Sequence, residues 1–168
     1  MDPFLIAGLP AHVLLVHAVV IAVPVVALGL IVAAAWPAAR RALWIPLVVV
    51  ALGNVVLVWL AAESGEWLEE RVPPAPLIEE HTELGEGLMP WVSGLAGLAV
   101  LLAVWHLVAR SLERREQAPS RGIRLAVGIV GTVLAVAVGT GATIATVLIG
   151  ESGSRAVWEG SFSEDPLE

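Results

Sequence analysis

Four long stretches without ionised side chains dictate what this chain can fold into. Between Asp2 and Arg40 no Asp, Glu, Lys or Arg occurs, and the same is true of residues 42–62, 87–109 and 125–150. As a helix, each stretch is long enough to cross the hydrocarbon core of a bilayer, which takes about 20 residues. The sequence therefore predicts an all-α fold, an integral membrane antiparallel four-helix bundle that forms one domain.

The boundaries of these helices follow from the charges and from hydrophobic spacing. We expect membrane spans at about residues 11–35, 43–62, 88–108 and 123–150, followed by a C-terminal tail over about 151–168. Before the third span, Leu77, His81, Leu84 and Leu88 recur at helical spacing on one face. This pattern predicts an amphipathic helix over about 77–87, with His81 on its inward face.

Composition excludes several classes of protein. Hydrophobic residues make up 58% of the chain, more than the 45–50% or so of ordinary soluble domains. The absence of cysteine excludes disulfides and thiolate metal sites, and a net charge of −7 argues against nucleic-acid binding. The sequence contains no recognisable nucleophile–base triad, phosphate loop or dinucleotide fingerprint, which leaves open whether the protein is an enzyme.

The distribution of arginine predicts the orientation in the membrane. Seven of the nine arginines lie in the segments 40–41 and 110–124, with only Glu113 and Glu116 beside them. Loops rich in arginine remain on the cytoplasmic side. We therefore expect a multi-pass protein whose termini and loop 63–86 are extracytoplasmic. We expect no cleaved signal peptide, because Asp2 stands where a basic segment would be needed.

Two halves of the chain show a common pattern. His12 precedes Trp36 by 24 residues, and His81 precedes Trp105 by the same 24. The string ESGEW at residues 63–67 has a counterpart in ESGSRAVW at 151–158. We interpret this as a duplicated helical hairpin, with the two copies related by a pseudo-two-fold axis along the membrane normal. A chance match is the alternative, since Trp and Arg recur at the interfaces of many membrane proteins.

The candidate functional residues gather near the extracytoplasmic helix ends. Ionisable groups within or beside membrane spans are functional candidates by default, and the set here is His12, His17, Glu63, His81, Glu86 and Glu151. A mixture of imidazoles and carboxylates suits iron, zinc or a similar divalent metal. We expect the glutamates to orient the imidazoles from outside the first ligand shell or to bind a cation themselves. The alternative is that these are ordinary interfacial histidines and solvated carboxylates.

Of the two histidines in the first span, we favour His17 as a ligand. It lies about 7.5 Å deeper than His12 on a helix that rises 1.5 Å per residue. The two are about 140° apart around that helix, so both are not expected to bind one small ion.

The fourth span contains small residues at every fourth position. Gly131, Ala135, Gly139 and Thr143 form this stripe, and such a stripe lets two helix backbones approach closely. We expect it to serve packing within the bundle, and homodimerisation is the alternative.

Several of these motifs resemble those of a known family. The segment GLPAHVLLVHAVVIAVP at residues 8–24 is similar to the opening signature of the bacterial membrane family catalogued as domain of unknown function 2231. The strings ESGEWLEERVP, IEEHTELGE and GESGSRAVW resemble its later landmarks, so that the resemblance covers nearly the whole chain. It implies a four-helix domain of the bacterial cytoplasmic membrane that has no established activity, and whose recurrent histidines suggest haem b or a metal.

The chain departs from this family at two positions. Val13 follows the first histidine, where proline is common, and Glu151 stands where many members have histidine before Ser-Gly. A ligand role for that later histidine is therefore not carried over.

Three classes of function follow from these observations. The first is binding of haem b or a divalent metal at the extracytoplasmic end. In that case His17 and His81 would be the axial ligands, with His12 beside them, and electrons would pass between the quinone pool and an outer redox partner. The second is a transporter or proton-relay element that uses the same polar residues without a cofactor. The third is a non-enzymatic structural subunit. In each case the bilayer is the main partner.

Overall fold

A computed structural model describes residues 3–162 of the chain. A short antiparallel hairpin pairs β1 (Leu5–Ile6) with β2 (Leu9–Pro10). Five helices follow: α1 (Ala11–Ala35), α2 (Pro37–Glu69), α3 (Pro76–Glu86), α4 (Leu88–Arg114) and α5 (Arg121–Trp158). The prediction of an all-α four-helix bundle is confirmed, with α3 as a short additional helix that leads into α4.

The surface of the bundle is suited to lipid rather than water. Four segments are long and apolar enough to cross a membrane, with mean hydropathy between 2.1 and 2.8 in their most apolar windows. Large apolar side chains point outwards along all of them; Ile21, Leu101 and Val147, for example, are 67%, 64% and 61% exposed. A soluble protein would rarely leave so much contiguous apolar surface uncovered. The chain is therefore a multi-pass membrane protein.

The last helix continues further than the sequence predicted. We expected residues 151–168 to form a tail, but α5 runs without interruption to Trp158. The extra turns have a packing partner, because α3 lies against this part of α5 and Ser152 is only 2% exposed. Burial against α3 thus keeps these residues helical. The rest of the predicted tail, 163–168, lies outside the described residues.

The helices are arranged as two hairpins in a ring. Going round the bundle, α1 packs against α2, α2 against α4, α4 against α5, and α5 against α1. Exchanging α1 with the α3–α4 pair and α2 with α5 preserves this set of neighbours. The packing is therefore compatible with the pseudo-two-fold axis inferred from the repeat.

The two ends of the bundle differ in their chemistry. One end holds the start of α1, the ends of α2 and α5, and the whole of α3; we call it the histidine end, since His12 and His81 lie there. The other holds the turn between α1 and α2 and the loop between α4 and α5, with seven arginines; we call it the arginine end. Between them lies an apolar core that includes Val23 and Leu30 of α1 and Val92 and Leu95 of α4.

The stripe of small residues on α5 faces into the bundle. An added Cβ at Gly139 would lie 3.0 Å from the Cβ of Ala27, and one at Gly131 would lie 3.3 Å from the Leu102 side chain. The Thr143 hydroxyl donates to the Gly139 carbonyl, so that no polar hydrogen is left facing the apolar neighbours. The stripe therefore serves the packing of α5 on α1 and α4.

This packing predicts the effect of enlarging Gly139. Gly139→Leu forces side-chain atoms into Ala27 and should destabilise the protein by about 1–3 kcal/mol, the usual cost of overpacking. Val133→Leu is the matched control, because Val133 is 62% exposed on the same helix. Thermal unfolding in detergent should show a clearly lower midpoint for Gly139→Leu alone. Equal midpoints for both variants would mean that α5 is not closely packed along this stripe.

Candidate functional site

The imidazole of His12 rests on the last turns of α2. Its Nδ1 lies 2.8 Å from the carbonyl oxygen of Ala61. The ring lies flat enough on Gly65 that an added Cβ there would be only 2.9 Å from Nδ1. The fully buried Ser64 donates its hydroxyl to the same Ala61 carbonyl, at 3.0 Å. One carbonyl, one serine and one glycine within five residues of α2 thus hold this ring.

The imidazole of His81 lies on α5 at the corresponding place, but its hydrogen bond is to a serine hydroxyl instead of a carbonyl. Its Nδ1 lies 3.0 Å from the Ser152 hydroxyl oxygen, which in turn donates to the Ile149 carbonyl at 2.9 Å. The ring covers Gly153, where an added Cβ would be 2.9 Å from Cε1.

The two arrangements correspond residue by residue. Ala61, Ser64 and Gly65 stand 88 positions before Ile149, Ser152 and Gly153, the offset at which the Glu-Ser-Gly string recurs. The repeat inferred from the sequence therefore has a structural counterpart, because each copy of the Ser-Gly pair receives one histidine.

The hydrogen bonds fix where each neutral imidazole carries its proton. A carbonyl oxygen only accepts, so His12 Nδ1 must be the protonated nitrogen. When the single hydroxyl hydrogen of Ser152 lies on the Ile149 carbonyl, Ser152 accepts from His81 Nδ1–H. In this arrangement the lone pair of each neutral ring is on Nε2, and neither Nε2 makes a hydrogen bond within residues 3–162. Metal-binding histidines commonly have this arrangement, with the other ring nitrogen donating to a carbonyl or similar acceptor.

The two rings meet at the histidine end. Their centroids are 6.1 Å apart and their planes are inclined by 77°. His12 belongs to α1 and His81 to α3, so each hairpin of the repeat contributes one ring. Two imidazole rings from separate elements are thereby brought into one small region.

The other predicted residues lie outside this pair. His17 is on an exposed face of α1, and its Nδ1 bonds to the Val13 carbonyl one turn back at 2.6 Å. The sequence favoured His17 because of its depth, but the ring beside His81 belongs to His12. Glu63, Glu86 and Glu151 are exposed. The groups that orient the imidazoles are the Ala61 carbonyl and the Ser152 hydroxyl, and these three carboxylates are not among them.

Sequence reasoning missed the residues that hold the rings. The repeated Glu-Ser-Gly string contains these residues: Ser64, Gly65, Ser152 and Gly153. Only the glutamate of each string is ionisable, so only the glutamate was predicted as a site residue. The signal that could have found them is the repetition of a small hydroxyl residue and a glycine at buried helix positions. The role of the Ala61 carbonyl could not be predicted from the sequence, since every residue has a backbone carbonyl.

Neighbouring contacts fix the elements that carry the two histidines. On one side, the Phe4 ring lies 6.0 Å from the ring of Trp67, and the Phe4 carbonyl accepts from Ala11 N–H at the start of α1. On the other side, Arg155 of α5 binds Glu80 of α3 at 2.9 Å. The end of α2 therefore holds the segment that precedes His12, and the end of α5 holds α3, which carries His81.

Comparison with known proteins adds no relative. No family model, no curated protein and no solved structure matches this chain. The account of the site therefore rests on its own geometry.

The proton positions on the two rings can be measured. In ¹⁵N NMR spectra of histidine-labelled protein at alkaline pH, His12 and His81 should each show a protonated Nδ1 and an unprotonated Nε2. Ser152→Ala removes the partner of His81 and should shift only the His81 resonances. Ser154→Ala is the matched control, because Ser154 bonds only to its own helix, at the Gly150 carbonyl. A protonated Nε2 on either neutral ring would contradict the assignment.

Proposed function

We propose that this protein binds haem b at its histidine end through His12 and His81. The observation that carries the proposal is the pair of imidazoles whose Nδ1 atoms are engaged and whose Nε2 lone pairs are free. Some haem proteins hold the iron through two side chains, and His12 and His81, one from each hairpin, would hold it here. When bound, the group would supply a centre for one-electron transfer.

The spacing of the rings is compatible with a shared metal. Bonds of about 2 Å from a metal to each imidazole nitrogen would place the ring centroids roughly 4.5 to 6.5 Å from each other, depending on the angle at the metal. The observed separation is 6.1 Å. Gly65 and Gly153 keep the two rings close to α2 and α5, because a larger side chain would displace either ring.

The number of available ligands favours haem over a bare ion. Within residues 3–162 no group of three or more His, Cys, Asp or Glu side chains is placed to hold a metal. A bare zinc ion normally takes three or four protein ligands. In haem the porphyrin supplies four nitrogen ligands, so that two ligands from the protein are sufficient. Two histidines are therefore a sufficient protein contribution for haem iron and a poor one for a bare ion.

The role of the protein residues follows from these contacts. His12 and His81 would bind the iron, and the Ala61 carbonyl and the Ser152 hydroxyl would keep their Nδ1 protons in place. Hydrogen bonds of this kind raise the basicity of a ligating imidazole. By the positive-inside rule the arginine end is cytoplasmic, which assigns the haem to the extracytoplasmic side of a bacterial membrane. An electron could then pass between membrane quinone and an outer redox partner.

The direct test is the colour of the purified protein. Protein from haem-supplied cells should show a Soret band and a positive pyridine haemochrome assay, and His12→Ala and His81→Ala should each abolish both. His17→Ala is the control, because His17 is exposed and bonds to its own helix; it should retain the band. Circular dichroism should show that all three variants are helical.

Other outcomes would reject the haem. A colourless wild-type protein with stoichiometric iron or zinc would replace it with a bare metal ion. If His17→Ala, rather than His12→Ala, abolished the band, the assignment of the first ligand would be wrong.

A proton-relay or transport role is the second candidate, and one buried residue favours it. Asn54 is 3% exposed in the middle of α2, and neither its Oδ1 nor its Nδ2 has a hydrogen-bond partner among the described residues. Leaving a buried amide unsatisfied is costly, so such a group is typical of a site for water or a polar ligand. Wild-type protein without any metal, together with proton uptake that depends on Asn54, would favour this role.

A further inference from the structure

The arginine end contains a second polar site that haem binding would not use. Arg40 is only 7% exposed, although its guanidinium is charged at every physiological pH. Its Nη1 is buried and has no acceptor within residues 3–162. Leaving a buried nitrogen of a charged group without an acceptor is costly, so this nitrogen is a position where an acceptor from outside the chain would bind favourably.

A second buried nitrogen lies nearby on α4. His106 Nε2 is also buried, and no residue in the described part of the chain bonds to it. The His106 ring lies 5.9 Å from the ring of Trp44, which is one helical turn beyond Arg40 on the same helix. Two unsatisfied nitrogens therefore lie on two helices that pack against each other, one on α2 and one on α4.

Several arginines accompany these two nitrogens along the chain. Arg110 follows His106 by one helical turn on α4, and Arg41 is adjacent to Arg40 on α2. The carboxylate of Glu113, also on α4, is bound by Arg124 at 3.1 Å.

The start of α2 adds to the positive potential. Trp36 precedes the helix and provides no side-chain cap for its first N–H groups. The N-terminus of a helix carries a partial positive charge and favours anions. Helix, arginine and imidazole therefore all favour the same kind of ligand, an anion with several acceptor oxygens.

We propose that Arg40, His106 and the first turn of α2 bind a phosphate group. A guanidinium presents a planar set of donors that matches phosphate oxygens, and His106 Nε2 would donate one further hydrogen bond. The site lies beside Trp36, which is 62% exposed at the end of α1, where aromatic residues mark the level of lipid headgroups. The phosphate is that of an anionic phospholipid or free inorganic phosphate, and the two sources share the same recognition chemistry.

Thermal unfolding of the full chain in a neutral detergent tests this site. The protein is titrated separately with phosphatidylglycerol, with phosphatidylcholine, and with inorganic phosphate against sodium chloride of equal ionic strength. A ligand that binds the folded state raises the midpoint in a saturable manner. We expect saturation with phosphatidylglycerol or with phosphate, and a loss of apparent affinity of about tenfold or more in Arg40→Gln, because a charge-assisted hydrogen bond is removed.

A neighbouring arginine provides the control. Arg41→Gln removes the same formal charge from an exposed position and should change the affinity less than about threefold. Arg40→Lys keeps the charge but loses the planar donors, and should fall between wild type and Arg40→Gln. His106→Leu tests the site from α4 should the Arg40 variants fail to fold, and it should weaken binding several-fold.

The arms of the titration separate the outcomes. Stabilisation by phosphatidylglycerol but not by phosphate identifies a lipid headgroup, and stabilisation by phosphate identifies a free anion. The proposal is overturned if neither saturates, if phosphatidylcholine stabilises as strongly as phosphatidylglycerol, or if Arg41→Gln weakens binding as much as Arg40→Gln.

Discussion

The hydrogen bonds that hold His12 against α2 and His81 against α5 are the interactions on which the candidate site depends. A bilayer offers no water to satisfy polar groups, so an imidazole beside a transmembrane helix needs a partner within the protein. Here each ring finds an acceptor for its Nδ1 proton and a glycine on which to lie. One bond joins α1 to α2 within the first hairpin, and the other joins α3 to α5 within the second.

The inferred repeat offers a reason why the two rings meet. If each hairpin contains one histidine and one Ser-Gly pair, a two-fold relation places the two histidines symmetrically about the axis. The two hairpins differ in how they secure these elements. At the position where the first copy has Trp67 in contact with Phe4, the second has Arg155 bound to Glu80. Serine and glycine occupy two of the three corresponding positions in both hairpins. The third position is Ala61 in one hairpin and Ile149 in the other, and only its backbone carbonyl takes part.

The sequence predicted the fold well because a membrane imposes simple rules. Charge-free stretches of sufficient length can only be spans, and the small-residue stripe on α5 can only pack closely. The sequence also predicted that His12 and His81 occupy one end of the bundle. It did not predict which histidine of α1 faces inwards. The depth of a residue along a helix follows from its number in the sequence. The side of the helix that faces the bundle can be predicted only when one side is polar and the other apolar, and α1 is apolar on all sides. His17 was therefore preferred on depth alone.

Burial of Arg40 was equally invisible in the sequence. An arginine at the end of a span is normally solvated, and nothing in the local string distinguishes Arg40 from Arg41. Only the packing of α2 against α4 shows that one is buried and the other exposed. The inference of a phosphate site consequently comes from three-dimensional structure alone.

The central claim is that His12, and not His17, stands beside His81. Because the chain has no native cysteine, the variants His12→Cys/His81→Cys and His17→Cys/His81→Cys can be treated with a short thiol cross-linker and then cut at a protease site introduced between α2 and α3. The account predicts that the two fragments of the first variant stay joined and that those of the second separate. Efficient joining through position 17, with none through position 12, would contradict it.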